Sequence, residues 1–120
     1  MDCLFCKINN NEIPSKTVYE DDIVKVIMDI NPQSNGHLLI IPKTHFNDFT
    51  EINDDTLIHI NRVSVKMKEL LSERLNPDGF VLTVNYGITQ IIKHYHMHII
   101  PVYKEKKEIV DIETIFKKLQ

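Results

Sequence analysis

The first third of the chain alternates apolar and polar residues in the two-residue period of β-strands. Residues 17–20 and 23–30 form two such runs on either side of the turn pair Asp21-Asp22, and this pattern predicts a β-hairpin. A loop rich in Asn, Pro and Gly follows, and the apolar run of residues 37–41 then stops at Pro42. This run predicts a buried strand near the centre of a sheet.

The period lengthens to three or four residues in the middle of the chain. Between residues 55 and 75 the apolar side chains fall on one stripe of a helix: Leu57, Ile60, Val63, Met67, Leu70 and Leu71. Asn53, Asp54 or Asp55 can cap the first turn by accepting from free backbone N–H groups, and Asn76-Pro77 can end the helix. The pattern predicts one long amphipathic helix.

Shorter elements complete the predicted fold. Residues 80–85 have a strand pattern, and residues 86–89 leave room only for a tight connection into the next strand, so these two strands are expected to be antiparallel. Helical spacing of apolar residues between 108 and 120 predicts a terminal helix, and residues 7–12 can form a short helix or turn. The chain is therefore expected to contain both strands and helices.

Three histidines, His94, His96 and His98, stand two residues apart near the carboxyl end. In an extended segment they share one face, and the apolar residues between them share the other. The pattern fits ligands of one catalytic metal ion, a nucleophilic imidazole flanked by phosphate-binding imidazoles, or a plain polar outer face of a sheet. His59, alone within the long helix, is interpreted as a surface or half-buried residue without a functional role.

Length and charge narrow the class of protein. Residues 1–120 are expected to form one domain, and a formal net charge of −3 gives no basic field for a nucleic acid polymer or an anionic membrane. No apolar run reaches the roughly twenty residues that span a bilayer, and the first residues do not resemble a secretory leader. We expect a cytoplasmic protein without membrane contact. In that compartment Cys3 and Cys6 indicate a metal site or a redox pair.

Several further motifs occur in order along the chain. They are Cys3-Leu-Phe-Cys6-Lys-Ile, Glu12-Ile-Pro14-Ser-Lys16, Val18-Tyr-Glu-Asp21-Asp22, Met28-Asp29-Ile30-Asn-Pro32, Gly36-His37, Pro42-Lys43-Thr-His45 and His94-Tyr-His96-Met-His98-Ile-Ile. Together they resemble the histidine triad (HIT) family, in particular its Hint-like branch. The resemblance implies a HIT-like α+β fold, with an antiparallel sheet of about five strands, one long helix and short terminal helices. It also implies a homodimer that joins two sheets.

The same resemblance implies a nucleotidyl hydrolase or transferase that acts on the α-phosphate of purine nucleoside phosphoramidates or related nucleotide conjugates. His96 would attack the phosphorus and carry a nucleotidyl-histidine intermediate that water resolves. His98 would contact the phosphate or help to protonate the leaving group, and His37 would support the histidines from the adjoining strand. The alternatives are a dinucleoside polyphosphate hydrolase, a non-catalytic nucleotide-binding partner protein and a metallohydrolase with an ion bound by the three histidines.

A set of nucleotide-binding residues is also implied by the resemblance. It comprises Ile27, Asp29, Ile30, Asn85, Gln90, Ile91, His96 and His98. In the family, the residue at the position of Asp29 contacts the ribose, and the residues at the positions of Ile27 and Ile30 lie against the base. The residues at the positions of Asn85 and Gln90 contact the phosphate. Ile91 stands where some members carry a serine that faces the phosphate, and the connection after Asn85 is shorter than in many members. The resemblance therefore leaves the preferred leaving group open.

The two cysteines gain partners through the resemblance. Zinc-containing members of the family combine a Cys-x-x-Cys pair with histidines that match His45 and His94, which implies a structural zinc site formed by Cys3, Cys6, His45 and His94. Such a site would tether the amino terminus and would not take part in the displacement. His94 would then be structural and His96 catalytic.

Overall fold

The computed structural model describes residues 3–120. Its helices are α1 (Leu4–Asn9), α2 (Asp54–Leu75) and α3 (Ile112–Lys118), and its strands are β1 (Thr17–Glu20), β2 (Val24–Met28), β3 (Leu38–Pro42), β4 (Gly79–Thr83) and β5 (Met97–Val102). All neighbouring strands are antiparallel, in the order β1-β2-β3-β5-β4. The predicted α+β fold, the hairpin and the central position of β3 are confirmed.

Every residue of β2 and β3 is buried, because both faces of the sheet are covered at its centre. The core on the side of α2 includes Val26, Ile40, Ile60 and Leu71. The core on the side of α1 includes Phe5, Ile8, Ile27, Leu39 and Ile41. Lys25 is buried on this second side, where Nζ donates to Ile8 O and to Asn11 Oδ1, both at 2.9 Å. A charge-assisted contact therefore holds α1 to β2 in addition to apolar packing.

The long helix begins one residue earlier than predicted. Asn53 caps it, since its Oδ1 accepts from the N–H of Thr56 at 2.8 Å, and Asn76 ends it at a left-handed φ of 50°. Most of the predicted stripe is buried or half-buried, but Leu57 is 43% exposed. A helix of 22 residues is about 33 Å long and a strand of 5 residues about 17 Å, so the helix is longer than the strands that it covers.

The predicted histidine strand begins later than the sequence suggests. β5 starts at Met97, so His98 lies within the sheet while the other two histidines precede it. In the preceding segment the N–H of Tyr95 donates to Phe46 O at 2.7 Å, so the chain bonds there to the loop that follows β3. The two-residue alternation persists, since Tyr95, Met97 and Ile99 all pack into the core on the side of α2.

The terminal helix is confirmed as α3, which begins after Asp111 and buries Ile115 in the core on the side of α2. The residue after the helix, Leu119, joins the same core. The tail is therefore an integral part of the packed structure. Over the part of the chain described, residues 3–120, the structure contains no helix with the length and apolarity needed to cross a lipid bilayer.

Asp21 connects the β1–β2 turn to α2. Its carboxylate accepts four hydrogen bonds, from the N–H groups of Ile23 and Val24, the hydroxyl of Tyr19 and Nε2 of His59. Burial acts to raise the pKa of Asp21, but these hydrogen bonds outweigh it and lower the pKa well below the ordinary value. The folded state therefore holds the charged form of Asp21 more strongly than the unfolded chain does.

Asp21→Asn is expected to lower the free energy of unfolding by about 2 kcal/mol at pH 7, because three or more charge-assisted hydrogen bonds weaken. Because folding lowers the pKa of Asp21, its carboxylate stabilises the folded state fully at pH values above the pKa of an unfolded aspartate, about 3.9. This stabilisation is lost as the pH falls from there through the pKa of the folded state. Urea unfolding at several pH values should show the difference shrinking below about pH 4. Asp22→Asn, at the exposed neighbouring position, is the control and should leave stability unchanged.

Candidate active site and metal site

The largest set of predicted site residues meets on the face of the sheet that α1 covers. Leu39 packs on this side and pairs with Ile27 of β2 and with His98 of β5, and His98 also pairs with Thr83 of β4. Residues two positions further along each chain segment share the same face. Asp29 follows β2, His37 precedes β3, Asn85 follows β4 and His98 lies near the start of β5. Together with His96 they line a cavity of about 450 Å³. Sites for small molecules have volumes of about 300–1,000 Å³.

His96 has one nitrogen committed to the backbone and one free. Its Nδ1 lies 2.7 Å from His94 O, and a carbonyl oxygen can only accept, so Nδ1 carries the proton. The Nε2 atom therefore holds the lone pair. The ring of Phe5 packs edge-on against the imidazole at 4.9 Å between centroids. Burial lowers the pKa of His96, which keeps the ring neutral.

His37 and His98 form a directed pair. The N–H of Gln33 donates to His37 Nδ1 at 3.1 Å, so the proton of His37 lies on Nε2, and Nε2 donates to His98 Nδ1 at 2.9 Å. The remaining nitrogen of His98, Nε2, then bears a proton. The amide nitrogen of Asn85 lies 3.4 Å from this Nε2. Two donors so close together can share one acceptor, such as a phosphate oxygen.

The charge environment keeps this pair neutral. Burial, together with the neighbouring imidazoles of His96 and His37, lowers the pKa of His98 to about 4. Burial also lowers the pKa of His37, while the carboxylate of Asp29 acts in the opposite direction from 3.4 Å. Both imidazoles are therefore uncharged at pH 7, and His98 presents an N–H group from a neutral ring.

The structure brings most of the predicted nucleotide-binding residues to the cavity: Ile27, Asp29, Ile30, Asn85, Ile91, His96 and His98. Gln90 is the exception. Its side chain is buried and does not line the cavity, and Nε2 donates to Asn47 O at 2.7 Å. The short connection after Asn85 folds as a single 3₁₀ turn, Gly87–Thr89, and Gln90 follows it facing inwards.

The cavity is apolar in its depth and at its rim. Ile27 is buried at the bottom, whereas Ile30 is 76% and Ile91 is 91% exposed. Sequence reasoning did not identify Phe5 or Gln33 as site residues. Their roles depend on an edge-on ring contact and on a backbone N–H, and neither is visible from residue type.

A second cluster brings the two cysteines to the first histidine of the triplet. The Sγ atoms of Cys3 and Cys6 and one nitrogen each of His45 and His94 lie within 4.8 Å of one another. The Nδ1 atom of His94 lies 3.1 Å from His45 Nδ1, and 3.4 and 3.5 Å from the two Sγ atoms. Corners of a tetrahedron around a metal ion bonded at about 2.0 Å to nitrogen and 2.3 Å to sulfur are about 3.3–3.8 Å apart. The donor atoms fit a metal ion.

The hydrogen bonds at the outer nitrogens support this fit. Nε2 of His94 donates to Pro42 O and Nε2 of His45 donates to Asn47 Oδ1, both at 2.8 Å, so each Nδ1 holds a lone pair. Burial lowers the pKa of His94 to about 4, which favours the neutral ring. Two lone pairs 3.1 Å apart repel each other unless a cation lies between them. Cys3, Cys6, His45 and His94 therefore form a candidate metal centre.

The three triplet histidines do not converge on one point. Among residues 3–120, the groups of three or more possible ligands are the Cys3 cluster just described and the set Asp29, His37 and His98. The second set is not ready for a metal, because Nε2 of His37 carries its proton. The alternative of one catalytic ion held by all three triplet histidines therefore has no support in the geometry.

Comparisons with known proteins agree with this arrangement. A family model described as the HIT domain matches residues 10–105. A HIT-like protein of Methanocaldococcus jannaschii is 39% identical, with 98% of each chain covered, and the adenylylsulfatase HINT3 of Arabidopsis thaliana is 39% identical over 83% of this chain and 52% of its own. The solved structure of a zinc-bound histidine triad family protein from Mycobacterium smegmatis is similar at a TM-score of 0.90 and 31% identity, covering 99% of this chain and 91% of that one. The chain belongs to the histidine triad (HIT) family.

Proposed function

We propose that this protein is a nucleotidyl hydrolase or transferase that acts on the α-phosphate of purine nucleoside phosphoramidates and related nucleotide conjugates. The observation that carries the proposal is the free Nε2 lone pair of His96 in the cavity, since the other nitrogen donates to His94 O at 2.7 Å. A neutral imidazole of fixed tautomer attacks without first losing a proton. The name of the A. thaliana relative, adenylylsulfatase, also points to chemistry on an adenylyl group.

In the first step Nε2 of His96 forms a bond to the α-phosphorus, and the bond from phosphorus to the leaving nitrogen or oxygen breaks. The positive charge that develops on the ring is stabilised by the Nδ1–H hydrogen bond to His94 O. The Nε2–H group of His98 donates a hydrogen bond at the phosphate or the leaving atom. The leaving group takes up one proton from solvent by way of His98 Nε2.

In the second step water attacks the same phosphorus, and the bond between phosphorus and His96 Nε2 breaks. The water releases one proton, which replaces the proton taken up with the leaving group, so the cycle is balanced. His96 returns to the neutral ring with its proton on Nδ1. Another nucleophile in place of water would make the same chemistry a transfer.

The rest of the cavity suits a nucleotide. The carboxylate of Asp29 is 17% exposed and can accept hydrogen bonds from ribose hydroxyls. Ile27 at the bottom and Ile30 at the rim offer apolar surface to a purine base. Asn85 supplies the second donor beside His98 for a phosphate oxygen. We assign no phosphate contact to Gln90.

We further propose that the metal centre holds zinc with a structural role. Two thiolates and two neutral imidazoles are ligands that zinc prefers, and a set of four protein ligands is typical of structural sites. Zinc would supply a cross-link between α1, the loop after β3 and the segment before β5. His94 would join this site through its ring, while its carbonyl oxygen holds His96.

Trapping of the intermediate tests the proposed function. The protein is mixed with an adenosine phosphoramidate and quenched, and a mass increase of one nucleotidyl group is expected on the peptide that contains His96. Side-by-side rates on a diadenosine polyphosphate separate the phosphoramidase from the dinucleoside polyphosphate hydrolase. Tight binding of the nucleotide with neither adduct nor turnover would favour a non-catalytic binding protein.

The free edge of β4 supports the proposal of a homodimer. Within residues 3–120, β4 pairs only with β5, contains no charged residue, and exposes Val81 and Leu82 at 47% and 49%. These consecutive residues lie on opposite faces, so neither face of the strand is well covered. An uncharged apolar edge favours pairing with another strand. We propose that two copies pair through β4 and join their sheets.

Leu82→Lys is expected to convert the dimer to a monomer, because it places a charge in the paired strand of each copy. Light scattering coupled to size-exclusion chromatography measures the mass directly. Ile23→Lys is the matched control, since Ile23 is 43% exposed near the β1–β2 turn at the other side of the sheet. A dimer that survives Leu82→Lys would contradict the assignment of this edge.

A further inference from the structure

Contacts from the segment after β5 converge on one residue of the β2–β3 loop. The side chain of Asn35 donates from Nδ2 to Glu108 O at 3.0 Å and accepts at Oδ1 from the N–H of Val110 at 2.9 Å. Its backbone carbonyl accepts from the hydroxyl of Tyr103 at 2.8 Å. Asn35 thus makes three hydrogen bonds with residues 103–110, a segment that contains no residue of the proposed site.

The residues on either side of Asn35 are also fixed. The hydroxyl of Ser34 donates to Pro101 O at 2.5 Å. Gly36 has a φ of 93°, and a Cβ atom there would lie 2.6 Å from a methyl carbon of Leu75, so the loop backbone lies directly against α2. Besides the hydrogen bonds within it, the loop is therefore held from outside the cavity, by β5, α2 and residues 103–110.

This conformation sets the direction of the hydrogen bonds inside the cavity. The N–H of Gln33 donates to His37 Nδ1 at 3.1 Å, and a backbone N–H cannot accept. The proton of His37 must then lie on Nε2, which donates to His98 Nδ1 at 2.9 Å. As a result the N–H of His98 is at Nε2, the nitrogen beside Asn85.

We propose that Asn35 is a positioning residue for the reaction. By joining the loop to residues 103–110 it holds the N–H of Gln33 on His37, and through His37 it selects the single tautomer in which His98 donates from Nε2. This inference rests on the proposed function of His98. The tail thereby acts on the leaving-group side of the site without touching the substrate.

Asn35→Ala tests the proposal, since it removes both side-chain hydrogen bonds to the tail. Nitrogen-15 NMR of the imidazoles at pH 7 is expected to show one tautomer, with the proton on Nε2, for His37 and His98 in the wild type and a mixture in the variant. With an adenosine phosphoramidate, kcat is expected to fall about tenfold while KM changes less than about twofold. A role in folding alone would lower the melting temperature and leave both tautomers unchanged.

Two further variants sharpen the test. Tyr103→Phe removes one hydroxyl from the same contact and should produce a smaller effect of the same kind, and it replaces Asn35→Ala if that variant does not fold. Asn61→Ala, at an exposed position of α2, is the control and should match the wild type. Wild-type tautomers in both test variants would overturn the proposal. If the wild type itself shows no turnover, the proposed function fails, and the NMR spectra still decide the role of Asn35.

Discussion

Replacing His96 by alanine is expected to lower kcat by at least about a thousandfold and to abolish the nucleotidyl adduct. The reason is the direction of the hydrogen bonds in the cavity. His98 Nδ1 accepts from His37, His98 Nε2 bears a proton, and both nitrogens of His37 are engaged. No other imidazole that lines the cavity offers a free lone pair. Steady-state rates with an adenosine phosphoramidate and the intact mass of the quenched protein measure the two effects.

The matched control is His59→Ala, which removes the same chemical group from the half-buried face of α2, where it contacts Asp21. Its turnover is expected to equal that of the wild type. His98→Ala should still form the adduct, but more slowly, and the loss should be greater for amine leaving groups than for phenols, which depart without protonation. Substantial turnover by His96→Ala would rule out the covalent mechanism.

Removal of the metal is expected to destabilise the fold without stopping the chemical step. A ligand present at a thousand times its dissociation constant adds about 4 kcal/mol to the free energy of unfolding, and Cys3→Ser should lose a contribution of this size. In the wild type the N–H of Cys6 donates to Cys3 Sγ at 3.3 Å. A serine hydroxyl can accept the same hydrogen bond, so the start of α1 is preserved. Zinc content by mass spectrometry and the melting temperature measure the loss.

A chelator provides the control for this variant. It should lower the melting temperature of the wild type and leave that of Cys3→Ser unchanged. At a temperature where both remain folded, kcat should be the same, because Nε2 of His96 does not belong to the metal cluster. A chelator that stops turnover without changing the melting temperature would contradict a structural role and favour a catalytic ion.

The elements of the fold are local properties of this sequence, and this is why they could be predicted. The two-residue period around Asp21, the helical stripe of residues 55–75 and the cap at Asn53 depend on neighbours within a few positions. The candidate site was predicted for a different reason. Histidines two residues apart must share a face of an extended segment, which indicated a metal site, a nucleophilic imidazole or a polar sheet face before the fold was known. The role of each residue came from the resemblance to the HIT family.

What the sequence by itself determined is therefore the α+β class, the main elements and the set of candidate residues, together with the HIT resemblance. Only the tertiary structure decided which nitrogen of each histidine is free, and that separates His94 in the metal cluster from His96 in the cavity. It also turned Gln90 inwards and tied Asn35 to the tail. The physical reason is that a tautomer or a side-chain direction depends on partners as far as 91 positions away, as for Cys3 and His94, and those partners meet only when the chain has folded.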